Sequence, residues 1–145
     1  MRLVREGKEK IVKGKVTEVS ISILATTKSA PKINGALFDL LKTRVLGKKF
    51  ALNLIFVGVE KIRALNRTHR KIDKATDILS FNVDENVGEI FINPEKARQK
   101  APLFERTYQN YLEFIFIHGL FHLKGFDHSS RMESEEGKVR KAFKI

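Results

Sequence analysis

In the segment TEVSISILA, Val19, Ile21 and Ile23 alternate with polar residues. Alternation with a period of two predicts a half-buried strand. INGALFDLLKTRVLG changes period: Ile33, Leu37, Leu40, Leu41 and Val45 recur at helical spacing, and Gly47 is placed to stop the helix. ALNLIFVG reads as a second strand. EKIRALNRTHR reads as a short helix with Ile62 and Leu65 inward and its basic residues outward. TDILSFNV and GEIFIN are two further strands joined by the loop DENV, and Pro94 opens a connecting segment. A long helix is expected from about Glu105 to Lys124. Its middle is apolar on nearly every face, which predicts burial at the centre of the fold. Ser129 or Ser130 can cap a last helix ending near Phe143. Residues 1–17 are basic and weakly patterned, and predict an extra hairpin or an arm. Early alternation of strands and helices, then helices alone, predicts an α+β domain in three layers with a small, mixed, four-stranded sheet.

The chain has 145 residues, which favours a single domain over residues 1–145. It has no cysteine, so disulfides and every thiolate metal site are excluded. The N-terminus is charged throughout and lacks the apolar run of a signal peptide. No stretch reaches the roughly 18 apolar residues of a membrane span. A cytoplasmic location is expected. The formal net charge is +11, from 28 Lys and Arg against 17 Asp and Glu. So basic a small domain points to an anionic partner, nucleic acid first. A surface rich in both Lys and Glu, as in thermophiles, accounts for many charges but not for the excess.

Three of the four histidines fall in HGLFHLKGFDH: His118, His122 and His128. Residues i and i+4 share a helix face, so His118 and His122 point the same way. Gly125 can end the helix with a positive φ, and the returning chain can bring His128 to the same point. Three imidazoles with an open fourth position describe a catalytic zinc site better than a structural one closed by four ligands. Nickel or manganese would also accept imidazole. The plainer alternative is three core histidines with ordinary hydrogen bonds. His69, the fourth histidine, lies on the basic helix and is not assigned as a ligand.

Zinc peptidases of the H-E-x-x-H type carry a glutamate base after the first histidine; here that position is Gly119. Bound zinc lowers the pKa of its water to roughly 7, so a carboxylate base is dispensable for hydrolysis of some substrates. A peptidase must also protonate a departing amine. A phosphodiester instead needs stabilised phosphoryl oxygens, which metal ions and guanidinium groups provide. Gly119 therefore favours a phosphodiester over a peptide. A glycine within a helix also predicts the close approach of a strand or of substrate backbone.

HGLFHLKGFDH resembles the H-G-x-x-H-L-x-G-x-D-H signature of the YbeY family, bacterial single-strand-specific endoribonucleases of ribosomal RNA maturation. LNRTHRKIDKATDILSFN is similar to that family's L-N-x-x-(Y/F)-R-x-(K/I)-x-x-P-T-D-V-L-S-F-P segment, and GEIFIN to its G-D-I-x-I-(S/N) strand. The likeness covers roughly residues 50 to 140, and the motifs stand in the family's order. It implies an α+β fold related to zinc-dependent hydrolases and one zinc ion per chain on His118, His122 and His128. It also implies a functional arginine by the cleft, at Arg70. Ala75 and Asn82 stand where prolines are usual, Glu89 where aspartate is common, and His69 at a usually aromatic position. The first fifteen or so residues match no motif.

Arg70 ends the short basic helix, beside Arg67, Lys71 and Lys74. Its guanidinium could hold a phosphate bidentately. Arg67, Lys71 and Lys74 are candidate substrate contacts, or else cations placed at a helix C-terminus and in water. Asp127 either orients a ligand histidine or caps the turn. Thr76, Asp77 and Ser80 could line the cleft. Three functions follow: a metal-dependent endoribonuclease acting on ribosomal RNA and the small ribosomal subunit in rRNA maturation and ribosome quality control; an RNA-binding ribosome-assembly factor with a mainly structural zinc; and a metallohydrolase acting on a substrate other than RNA.

Overall fold

The computed structural model describes residues 21–145 throughout. Of the preceding stretch it describes the backbone of β1 (Arg2–Leu3), β2 (Lys10–Val12) and β3 (Lys15–Thr17). β2 and β3 pair antiparallel; Val19 lies outside the described residues. β4 (Ile21–Ala25), α1 (Gly35–Leu46), β5 (Ala51–Phe56), α2 (Val59–Arg70), β6 (Ile78–Asp84) and β7 (Val87–Ile92) follow. The chain continues with α3 (Pro94–Lys100), a 3-10 turn (Ala101–Phe104), α4 (Tyr108–Leu123) and α5 (Ser130–Phe143). The fold is α+β.

The sheet order is β1-β4-β5-β7-β6. β4, β5 and β7 are mutually parallel, and β6 returns antiparallel to β7 as an edge. β1 adds two residues to the other edge, so the expected four-stranded mixed sheet carries one short extra strand. β5 is buried on both faces. Leu52, Leu54 and Phe56 join Ile21, Ile23, Ile90 and Ile92 on one side, against α1 and α4. Ile55 and Val57 join Ile62 and Leu79 on the other, against α2. Each fully buried side chain of this kind contributes about 1.5–3 kcal/mol. The result is three layers, with α4 as the central helix: Leu112, Phe116, Ile117 and Leu120 are fully buried on it, and Phe116 stacks on Phe38 of α1 at 4.5 Å.

Several boundaries differ from those the pattern predicts. The long helix starts at Tyr108, not near Glu105. Glu105 takes a left-handed φ of 54° that closes the 3-10 turn, and the Thr107 side chain caps α4 by accepting from Asn110 N. The segment after Pro94 is itself helical, because Asn93 caps it and Pro94 suits a first helical turn. Leu40 is exposed rather than inward; Phe38 and Lys42 take the buried positions instead. The DENV loop contracts to a turn at Glu85 and Asn86. Ser129, not Ser130, caps α5 by accepting from Met132 N.

Candidate metal centre

α4 ends where the histidines need it to. Lys124 caps the helix, and Gly125 follows with φ +106°. Gly125 N–H donates to the His122 carbonyl and Phe126 N–H to the Phe121 carbonyl, the two bonds of a Schellman ending. This reversal sets the Phe126 carbonyl beside His122 Nδ1 and returns the chain at His128.

The three Nε2 atoms form a nearly equilateral triangle: 3.1 Å from His118 to His128, 3.1 Å from His122 to His118, and 3.2 Å from His122 to His128. The far-side nitrogens decide the tautomers. His122 Nδ1 lies 3.0 Å from the Phe126 carbonyl, which can only accept, so Nδ1 carries the proton. His118 Nδ1 donates to the Glu136 carboxylate at 2.8 Å. Both Nε2 atoms therefore present lone pairs to each other at 3.1 Å, an arrangement that repels unless a cation lies between them. Tetrahedral ligation at about 2.0–2.1 Å would set the nitrogens about 3.3–3.4 Å apart, close to the triangle observed. The donor set fits a transition metal, and one side of the triangle opens to a cleft. Burial and the neighbouring His118 hold the His122 imidazole below its ordinary range, in keeping with a neutral ligand.

Glu136 is the carboxylate that meets one of the clustered histidines; Asp127, expected in that place, lines the cleft without a hydrogen bond to a histidine. Glu136 comes from α5, on the face of Met132 and Val139, and is buried with them. Its other oxygen lies 3.6 Å from Arg140. A carboxylate at helical spacing among buried apolar positions was the signal for it in the sequence.

One cleft of about 1360 Å³ is lined by the three histidines, Arg70, Asp127, Thr76, Asp77 and Ser80. Arg70 makes no ion pair or hydrogen bond with the described residues. Arg67, Lys71 and Lys74 do not line this cleft. Arg67 reaches Asp73 at 3.5 Å, and Asp73 is held mainly by Arg63, at 2.8 and 3.2 Å. Lys71 caps α2 with φ 60° and donates to Thr68 O. His69 packs against Phe81 with the rings tilted, 4.7 Å between centroids, and is not one of the clustered histidines.

Gly119 lies where α4 crosses the edge strand. Ser80 Oγ donates to the Gly119 carbonyl at 3.2 Å. A Cβ at residue 119 would meet Ile78 Cδ1 and Ser80 Oγ at 2.9 Å and Ile90 Cδ1 at 3.1 Å. The close neighbour expected of a mid-helix glycine is thus strand β6, with β7 behind it. Asp77, just before β6, accepts from Tyr111 OH at 2.6 Å. Burial, with this bond second to it, pushes the phenol far above its ordinary range.

An α+β protein built around three histidines able to hold one metal ion is the class that this fold and site define. The family described as Endoribonuclease YbeY matches residues 9–143, and the chain belongs to it. Proteins of that name include one from Acholeplasma laidlawii, 36% identical over 90 residues, covering 59% of this chain and 66% of that protein. One from Thermodesulfovibrio yellowstonii is 40% identical over 97 residues, 62% of this chain and 60% of that protein. One from Sulfurimonas denitrificans is 38% identical over 101 residues, 65% of this chain and 73% of that protein. The match thus spans less than two thirds of the length of the first two relatives. The solution structure of TM1509 from Thermotoga maritima is similar, with a TM-score of 0.56 and 30% identity over 86% of this chain and 91% of that one. Among the described residues, no helix is long and apolar enough to cross a membrane.

Proposed function

We propose that the protein is a cytoplasmic, metal-dependent, single-strand-specific endoribonuclease, a single domain over residues 1–145, acting on ribosomal RNA and the small ribosomal subunit in rRNA maturation and ribosome quality control. The observation that carries this reading is the convergence of three imidazole Nε2 atoms on one point of a cleft that also holds Arg70, which has no partner among the described residues. A divalent ion bound by His118, His122 and His128, zinc first, supplies Lewis-acid activation of water and of a phosphoryl oxygen. Arg70 contributes a planar, permanently charged fork for the phosphodiester's non-bridging oxygens. Glu136 keeps the proton on His118 Nδ1, so that Nε2 stays available as a ligand. Arg67, Lys71 and Lys74 provide a basic surface beyond the cleft that attracts RNA without positioning the reacting phosphate. Asp127 lines the cleft near His128 and contributes to its shape.

The test compares wild type, Arg70→Ala and metal-stripped protein on single-stranded and duplex RNA, each purified free of contaminating nuclease. Cleavage of the single strand that needs both Arg70 and metal supports the reading. RNA binding with no cleavage would favour the assembly-factor role, in which the ion is structural. Against that role stands the ligand set: among the described residues the cluster holds three donors and opens to the cleft, where a structural site would be closed by a fourth.

A further inference from the structure

Phe104 ends the 3-10 turn at the far lip of the cleft. Half of its surface is exposed (50%). Its ring is braced from below by Tyr111, at 5.3 Å between centroids, and by Phe114, at 5.7 Å. Tyr111 is in turn fixed to Asp77 by the 2.6 Å hydrogen bond, so the support under Phe104 is rigid. An aromatic ring held this way in a polar cleft leaves one face for a planar ligand.

The surrounding charges indicate which ligand. Lys100, the last residue of α3, lines the cleft with its side chain partly exposed and touches Asp77 at 3.4 Å. Two guanidinium groups share the Phe114 ring, Arg106 at 4.1 Å from its centroid and Arg140 at 5.2 Å. Arg106 has the Asn110 side chain as its hydrogen-bond partner. Desolvation and the adjacent Arg140 hold the Arg106 guanidinium below its usual range. The two buried carboxylates here, Asp77 and Glu136, are already engaged by Tyr111 and His118. Lys100 and Arg140 each meet one of these carboxylates only at long range, Asp77 at 3.4 Å and Glu136 at 3.6 Å, so an anion beside the ring would meet cations with N–H groups to spare.

We propose that Phe104 is a stacking platform for an unpaired nucleobase, with Lys100 and Arg140, which line the same cleft, placed for the phosphates flanking it. The ligand class is a single-stranded nucleotide segment running from the histidine cluster to this lip. A base in a duplex has no free face to offer Phe104, so the platform selects single strands. The inference rests on the reading of the cleft as an RNA site.

The chain contains no tryptophan, so Phe104→Trp places one reporter on the platform. Binding of a short 2′-O-methyl oligonucleotide, which resists cleavage through its own 2′-oxygen, is followed by anisotropy for wild type, Phe104→Trp, Phe104→Ala and the distant Leu40→Ser. We expect Phe104→Ala to weaken single-strand binding about tenfold, Leu40→Ser to leave it unchanged, and duplex binding to ignore both. Phe104→Trp should bind like wild type, its fluorescence quenched by single strands and not by duplex. If thermal unfolding shows Phe104→Ala to be destabilised, Phe104→Trp decides by itself. Unquenched tryptophan on a bound single strand overturns the platform and leaves the RNA reading standing. No binding of single strands by wild type removes both. Self-association of wild type that Phe104→Ala abolishes would assign the lip to a protein contact and overturn the proposal.

Discussion

His118 and Glu136 are eighteen positions apart and meet at 2.8 Å, joining the central helix to the last one. The bond sets the tautomer of a ligand histidine, and it is made by a carboxylate that is nearly inaccessible to water. Glu136→Ala would leave a ring N–H without its acceptor and Arg140 without its partner. We expect metal affinity to fall about 10- to 100-fold, as measured by competition with a chromogenic chelator, with the fold retained by circular dichroism. Unchanged affinity would show that His118 needs no orienting partner.

Arg70→Ala should lower cleavage of single-stranded RNA about 10²- to 10³-fold, the usual loss when one preorganised donor at a developing charge is removed. Bound metal should be unchanged, because Arg70 touches no histidine. Arg70→Lys should recover little, since an ammonium cannot reproduce the bidentate fork. Equal metal content with full activity in Arg70→Ala would remove the arginine from the site.

Gly119→Ala sets two effects against each other. Alanine gains about 1 kcal/mol of helix propensity. The added methyl must displace Ser80 Oγ and two isoleucine ends, and overpacking of that kind costs about 1–3 kcal/mol. Because Ser80 Oγ also donates to the Gly119 carbonyl, the clash breaks a bond as well as crowding a core. We expect a net loss of about 1 kcal/mol, visible as a lower denaturant midpoint. A variant more stable than wild type would refute the steric account. Gly119→Glu restores the zincin spelling, yet should show no peptidase activity, because the glutamate would be driven into β6.

Lys42 is fully buried on α1, its ammonium donating to the carbonyls of Gly47 and Phe50 at 2.9 Å and Lys48 at 3.3 Å. Lys42→Met would strand these acceptors and should cost about 2–4 kcal/mol at pH 7. Burial lowers the pKa of Lys42 below 10.5, and Asp39 opposes this in part. Between the lowered folded value and 10.5 the unfolded chain binds more protons, so stability rises with pH across that window. The gap between wild type and Lys42→Met should therefore widen as pH is raised toward 10.5, read from urea unfolding at a series of pH values. A gap that narrows would show that the charged amine is the preferred buried form.

The periodic elements were legible because their signals are local. Ile21 and Ile23 alternate on a strand, β5 is apolar but for Asn53, β7 ends in Ile90, Phe91 and Ile92, and α4 is apolar on most faces; the structure places each in the core. The same is true of the metal cluster. His118 and His122 are related by one helical turn, and Gly125 supplies the positive φ that returns His128, so the spacing alone brings three imidazoles together. α3 was missed because its start is set by an asparagine cap and a proline, which also read as a loop.

By itself the sequence determined the kind of chemistry: a histidine triad without the peptidase glutamate, on a strongly basic chain. What only the tertiary structure decided is which distant groups serve that triad. Glu136 reaches His118 because α5 folds back over α4. Arg70 shares the cleft while Arg67, three residues away, turns outward to Asp73. Phe104 comes to the lip where the 3-10 turn packs its ring against Tyr111 and Phe114 of α4. None of these pairings has a sequence period, since each depends on how helices pack on a sheet and on which side of a helix faces the cleft.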